Sequence, residues 1–420
     1  MINKGDNKGL TVKKSENFSE WYSEIVQKAE LADYSPVQGF IVVRPRAYAI
    51  WEKVQEEFNN FLKKIGVKNS YFPLLIPESF FKRESEHAKG FAPELAFLEG
   101  KEEGERLALR PTSETIMYDS YSKWIRSWRD LPLLLNQWNN VIRWEVKQTK
   151  PFIRGREFLW QEGHCAFESE EEAEKNMMEI INEYKKLCEE VLAVPVFLGK
   201  KSKMETFAGA KKTMAIESLM IDGKALQMGT SHNLGQGFAR VFDVKFKDRN
   251  EKEQYAWQTS WGFSTRLIGA LVMVHGDDKG LVLPPRIAEQ KAVIVPILFD
   301  DSRDKVLKKC NEMKNKLGKF NAFVDSREGY SPGWKFNEWE LKGVPLRIEI
   351  GPKDLEKKQA VLVRRDNGKK EIVKEKDIAN KVELILEDIQ NNLFSKAKKF
   401  LNSSIDNAKD MKELKKKLDK

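Results

Sequence analysis

The sequence predicts an α+β protein in two parts, an antiparallel sheet flanked by helices and then a smaller α/β domain with a mixed sheet. Three observations carry this. The runs Leu133 to Glu145 (LLLNQWNNVIRWE) and Glu157 to Phe167 (EFLWQEGHCAF) read as strands, and the basic stretch between them (VKQTKPFIRG) is broken by Pro151 and Gly155, as in a loop joining an antiparallel pair. Past LVLPPR (Leu281 to Arg286) the pattern changes to strand, helix, strand, helix, strand. At 420 residues the chain is too long for one ordinary domain. A boundary near Pro284 to Glu289 divides it into residues 1–287, 288–375 and a helical segment over 376–420.

The elements follow in order. A polar start leads into a helix in which Trp21, Ile25, Ala29 and Ala32 recur at helical spacing. DYSPVQG (Asp33 to Gly39) reads as a loop. Pro45 to Ile65 is a long helix whose stripe includes Ala47, Ile50, Trp51, Val54, Phe58, Phe61 and Leu62, and Gly66 ends it. An extended run covers Ser70 to Ile76. Phe158, Trp160 and Glu162 share one strand face, because side chains alternate along a strand. Ser169 with Glu172 forms a capping box for a helix carrying Met177, Ile180, Ile181, Tyr184, Leu187 and Val191. Strands follow over Ala225 to Val244 and Tyr255 to Phe263, and a small-residue helix begins near Thr265. In the second domain VIVPILF, NAFVD, PLRIEIG and AVLVRR are strands. Arg303 to Leu317 and Pro332 to Leu341 are helices, Asp366-Asn367-Gly368 is a turn, and the tail from Glu375 is helical and Lys-rich.

Lys and Arg total 73 against 64 Asp and Glu, a net charge of +9, which fits a polyanionic partner such as nucleic acid. The three cysteines (Cys165, Cys188, Cys310) lie far apart, so neither a disulfide framework nor a Cys-x-x-Cys zinc site is expected. The N-terminus has no apolar signal core, and no apolar run is long enough to span a bilayer. A cytoplasmic location without membrane contact is the expectation. Neither Gly-x-x-x-x-Gly-Lys-Ser/Thr nor a strand-linked Gly-x-Gly-x-x-Gly occurs, so a nucleotide would be held by arginines on an antiparallel sheet.

Three blocks in order resemble the signature motifs of class II aminoacyl-tRNA synthetases. GFIVVRPRAYAIWEKVQEEFNNFLKKIGVKNSYFPLLIP resembles motif 1, a helix and strand that build a homodimer interface in that class. RPTSETIMYDSYSKWIRSWRDLPLLLNQWNNVIRWEVKQTKPFIRGREFLWQEGHCAF is similar to the substrate loop and motif 2 of prolyl-tRNA synthetases in particular. QTSWGFSTRLIGALVMVHGDDKGLVLPPRIAEQK resembles motif 3. The resemblance implies activation of L-proline by ATP with Mg2+ and transfer to tRNA(Pro); with no suitable cysteine cluster in the sequence, no protein-bound zinc is expected. Arg143 and Arg266 match the motif 2 and motif 3 arginines. On the sequence reading, Arg143 is fixed on a strand and Glu145 shares its strand face, two residues on. A fork of guanidinium donors suits charge growing at the α-phosphorus.

For ATP the resemblance implies Arg143, Glu145, Arg154, Gln227, Thr230, Ser264 and Arg266. Arg266 opens a helix, whose N-terminus also favours phosphate. For proline it implies Thr112 and Glu114 toward the secondary ammonium, with Arg143, Phe158, Trp160, Glu162, His164, Phe207 and His232 around the ring. Only four histidines occur in the chain, and His232 stands inside GTSH. The segment from Val293 to about Val373 resembles the anticodon-binding domain of the prolyl, threonyl, histidyl and glycyl enzymes, with Glu340, Arg347 and Lys353 where bases are read.

Between Phe167 and Lys224 there is room for one helix and some strand, so the archaeal/eukaryote-like type without an inserted editing domain is expected. That type ordinarily carries a further C-terminal domain, here expected to be truncated. Two alternatives stay open at this point. One is a class II enzyme for threonine or serine; the threonine enzymes and some serine enzymes hold zinc through Cys and His. The other is a synthetase-like, tRNA-binding regulator; such proteins often lose a motif arginine.

Overall fold

The computed structural model describes residues 9–87, 94–99 and 104–418. The first eight residues of the polar start and the last two of the basic tail lie outside these. The first domain is built on a seven-stranded sheet. Its order is Lys68–Asn69, Leu133–Ile142, Glu157–Phe167, Trp257–Ser264, Ala225–Gly235, Lys212–Leu219 and Phe197–Lys200. Every neighbouring pair is antiparallel except the short first one. Leu133 to Ile142 pairs with Ala166 back to Glu157 in unbroken register, so the two strands expected around the basic loop do form a hairpin.

Helices cover one face. Pro45–Lys64 begins with Pro at its first position, where the missing N–H costs no bond. It buries Ala47, Ile50, Trp51, Val54, Phe58 and Leu62. Phe58 meets Tyr184 and Phe263, each with centroids 5.2 Å away. Glu170–Lys186 packs beside it, with both arms of the Ser169–Glu172 capping box formed.

Glycine permits one close approach at the centre of the sheet. Gly163 lies opposite Trp261, and a Cβ on it would stand 2.1 Å from the indole ring. Gly163→Ala is therefore expected to push Trp261 out of place and destabilise the fold by about 1–3 kcal/mol, as overpacking does. Thermal denaturation checks this, and an unchanged midpoint would show that the indole moves aside freely.

The second domain carries a five-stranded mixed sheet in the order Phe323–Val324, Ala292–Pro296, Leu346–Ile350, Gln359–Arg364, Lys370–Lys374. The first three strands are parallel and the rest antiparallel. Helices Arg303–Lys316, Pro332–Leu341 and Ile378–Ser403 flank it. At the junction, Arg365 donates from both terminal nitrogens to Asp277 at 2.8 and 2.6 Å, and its Nε donates to the Glu340 carbonyl at 2.8 Å.

Several expectations are corrected. The first helix stops at Lys28, and Glu30 takes a left-handed φ of 60°, so Ala32 opens a strand instead of continuing the stripe. Asp33 to Gly39 is part of a hairpin, Ala32–Tyr34 paired with Ile41–Val43. Of Ser70 to Ile76, only the end enters a strand, Leu75–Pro77. The run to Val244 holds a strand only to Gly235, and Gly237–Phe242 is helical. The strand in VIVPILF ends at Pro296, which has no N–H to continue a ladder. Leu133–Ile142 stops one residue before Arg143, so Arg143 and Glu145 sit in the turn beyond the strand and not on its face. The helix Glu114–Trp124 was not anticipated, because Glu114 and Thr115 are buried and break the apolar stripe. Helix Glu78–His87 was likewise not anticipated, and the strand expected between Phe167 and Lys224 forms as Phe197–Lys200 and Lys212–Leu219.

Candidate active site

On the open face of the large sheet, two cavities meet. The inner one is about 300 Å3 and the outer about 440 Å3, both within the range that holds small ligands. Arg143, Phe158, Ser264 and Arg266 line both, so they form the shared wall. Thr112, Glu114, Trp160, Glu162, His164, Phe207 and His232 line the inner cavity, as do Gln227 and Thr230. Glu145 and Arg154 line the outer one. The structure thus gathers all the residues expected around proline and ATP, with Gln227 and Thr230 on the inner side of the divide.

The inner floor is a buried acid pair. Glu162 accepts from the Ser113 N–H at 3.1 Å, the Asn139 amide at 2.8 Å and the Gln137 amide at 3.3 Å, and also from the Ser113 hydroxyl. His164 Nε2 lies 3.1 Å from the same carboxylate, and the Tyr118 hydroxyl 3.1 Å from Nδ1. Burial pushes the Glu162 pKa up, but the bond from His164, its charge and the other donors outweigh this and hold it well below the usual carboxylate range. Burial likewise opposes charge on His164, yet the bond to Glu162 and the charges of Glu114 and Glu162 raise its pKa. Glu114 opens its helix and accepts one hydrogen bond among the described residues, from the Thr112 hydroxyl. Glu114, Glu162 and His164 can bring one ligand atom each to within 4.8 Å, one such cluster among the described residues. His232 is the opposite case: burial first, and the charge of His164 second, lower its pKa to about 3, so the ring is neutral. It packs on Phe207 with centroids 4.8 Å apart, and its Nδ1 lies 2.9 Å from the Thr213 hydroxyl.

The shared wall is cationic. The Arg143 guanidinium lies 5.2 Å from the Phe158 centroid and 5.4 Å from that of Trp160, and its Nε donates to the Pro111 carbonyl at 3.3 Å. Arg266 donates to the carbonyls of Ile153 at 3.1 Å and Gln227 at 3.2 Å. Burial lowers the Arg266 pKa, and the like charges of Arg143 and Arg154 lower it further. Three guanidiniums crowded around one cavity repel one another until an anion arrives.

Ser113, Gln137, Asn139 and Tyr118 complete the inner site, and the sequence reading had assigned them no role. The Asn-Gln-Trp-Asn run (Asn136 to Asn139) was a usable signal: Gln137 and Asn139 alternate on one strand face with amides turned toward Glu162.

A family model described as the class II core domain of tRNA synthetases (G, H, P, S and T) matches residues 96–275, and one described as the anticodon binding domain matches 291–384. The chain is 53% identical over 404 residues to the proline--tRNA ligase of Natranaerobius thermophilus, covering 95% of this chain and 83% of that protein. The chain belongs to the proline--tRNA ligase family. It is similarly 52% identical to the proline--tRNA ligase of Alkaliphilus oremlandii over 409 residues, 95% of this chain and 85% of that one. With that of Chlorobium chlorochromatii it shares 52% over 393 residues, 92% and 81% of the two chains.

In this class II frame the anticodon-domain residues separate by setting. Arg347 lies on the Leu346–Ile350 strand, 3.3 Å from Glu340 and 3.0 Å from Glu349, with its guanidinium 4.2 Å from the Phe336 centroid. Lys353 is exposed on the short helix Pro352–Glu356. Glu340 and Arg347 are therefore together, while Lys353 stands past the strand end.

Proposed function

We propose that the chain activates L-proline with ATP and transfers it to tRNA(Pro). The observation that carries this reading is one junction: a cavity walled by Arg143, Arg154 and Arg266 opens at Arg143 onto a cavity floored by Glu114 and Glu162. The first suits a triphosphate. The second suits an ammonium, and Phe158, Trp160 and Phe207 suit a small apolar ring. Arg143 between them suits the point where a carboxylate meets a phosphate.

In the first step the proline carboxylate attacks the α-phosphorus and pyrophosphate leaves. In the second, a hydroxyl of the 3′-terminal ribose attacks the acyl carbon and AMP leaves. Magnesium enters with ATP as part of the substrate. Positioning and charge stabilisation supply the rate, and no side chain here is required as a general base. Glu145, which lines the outer cavity, suits acceptance of a hydrogen bond from the adenine amine. The base-reading roles of Glu340, Arg347 and Lys353 rest on the family and on their places in the second domain, which we take to span 288–375 between a catalytic part over 1–287 and a helical segment over 376–420.

A homodimer through the Pro45–Lys64 region rests on the motif 1 resemblance, and Tyr48 on that helix and Tyr71 beyond Lys68–Asn69 are exposed. A cytoplasmic location fits the reaction; among the described residues no helix is long and apolar enough to cross a membrane.

Amino-acid-dependent ATP–pyrophosphate exchange tests the reading, with proline, threonine, serine, alanine and cysteine in parallel. Proline should give the highest kcat/KM. Stronger exchange with threonine or serine, or none with any, would overturn it.

A further inference from the structure

Arg156 lines neither cavity, yet it ties together the parts of the outer one. Its backbone N–H donates to the Gly39 carbonyl at 2.8 Å, and its own carbonyl accepts from the Arg143 N–H at 2.7 Å. Its Nε donates to the Val146 carbonyl at 3.1 Å, and a terminal nitrogen donates to the Gln38 carbonyl at 3.4 Å. The guanidinium plane lies 4.5 Å from the Trp144 centroid, and Trp144 in turn meets Phe40 at 6.4 Å.

Two glycines make this seat possible. Gly39 takes φ +89°, and a Cβ there would stand 2.8 Å from Arg156 Cγ; a Cβ on Gly155 would stand 3.1 Å from the Gly39 carbonyl. One side chain thus spans two segments that meet nowhere in sequence. One is the hairpin Ala32–Tyr34/Ile41–Val43, which gives Tyr34, Phe40 and Ile41 to the outer cavity. The other is the turn from Arg143 to Val146, which carries Glu145.

We propose that Arg156 is a positioning residue that fastens the hairpin as a wall of the nucleotide cavity and fixes the turn presenting Glu145. The inference rests on the reading of the outer cavity as the ATP site. It assigns the Arg156 side chain an effect on nucleotide affinity and base choice with little on the amino acid, whose cavity takes from these segments only Arg143, held to Arg156 by a backbone bond that a side-chain substitution leaves in place.

Loss of both side-chain bonds in Arg156→Ala should raise the KM for ATP by about tenfold. The KM for proline should stay within about twofold, and the preference for ATP over GTP should fall as Glu145 loses its fixed place. Arg156→Lys keeps the charge but not the planar fork, so it should lie between wild type and Ala. Gln38→Ala leaves the carbonyl in place and should match wild type. Steady-state exchange kinetics with each variant, alongside calorimetry of Mg–ATP on the wild type without proline, read this out. An ATP KM unchanged within about twofold in both Arg156 variants, or ATP and proline KM values that rise together, overturns the proposal. If the Ala variant does not fold, the Lys variant decides by the same criterion. Failure of the wild type to bind ATP would instead overturn the reading of the cavity itself.

Discussion

Arg143→Ala is expected to lower proline-dependent pyrophosphate exchange by about 10²- to 10³-fold, the cost of removing one preorganised donor from a developing charge. Arg143 is the charged residue shared by both cavities that sits beside the aromatic pair Phe158 and Trp160. Those rings partly shield the guanidinium, and burial lowers its pKa from the ordinary value. The one hydrogen bond its side chain makes among the described residues, to the Pro111 carbonyl at 3.3 Å, holds little of the fold together. Activity should therefore fall far more than thermal stability. Arg143→Lys should recover part of the loss, since charge survives and the bidentate fork does not. Near-normal exchange by the Ala variant would remove Arg143 from the chemistry. Equal collapse of activity and folding would make it a structural residue.

Glu114→Gln is expected to raise the KM for proline on the order of a hundredfold, because an ammonium buried without its counter-charge costs several kcal/mol. The KM for ATP should change by less than about threefold, since the triphosphate cavity does not contain Glu114. The contrast with Glu162 motivates the choice. Glu162 is already surrounded by donors from Ser113, Gln137, Asn139 and His164, whereas Glu114 has only the Thr112 hydroxyl among the described residues. The carboxylate with unspent accepting capacity is the one a substrate ammonium can use. Thr112→Ala should show the same selectivity with a smaller shift. Equal increases for proline and ATP would show that this corner is not the amine site.

Much of this site was legible because its residues sit on long, regular strands. Period-two alternation puts Phe158, Trp160, Glu162 and His164 in one column, and the unbroken register of the hairpin keeps them there. Arg266 was legible for a similar reason, at the first position of a helix with a strong apolar run behind it. The errors fall where tertiary contacts override local pattern. Arg143 and Glu145 read as strand because apolar neighbours continue the run, but after one last ladder bond from the Arg143 N–H to the Arg156 carbonyl the chain turns, with the Val146 N–H reaching back to the Arg143 carbonyl at 3.4 Å. The helix from Glu114 was hidden because its first turn faces the acid pair, so polar residues occupy a buried face. The hairpin at Ala32 was hidden because a left-handed residue at Glu30, which no glycine announces, redirects the chain.

The approach of the Trp261 ring to Gly163 also constrains how such a sequence can drift. Position 163 cannot gain a side chain while position 261 keeps an indole, and position 261 cannot shrink without opening a void over a bare backbone. The two sites are therefore one unit of variation. Either change alone passes through a weakened protein, and only a paired exchange crosses without loss. Trp261 turns its ring to the helix-covered face, against Phe58, while its neighbours Ser260 and Gly262 line the inner cavity, so that exchange would reach the ligand face only through the backbone. Variation at the middle of the sheet is thereby tied to variation in the helix packed behind it.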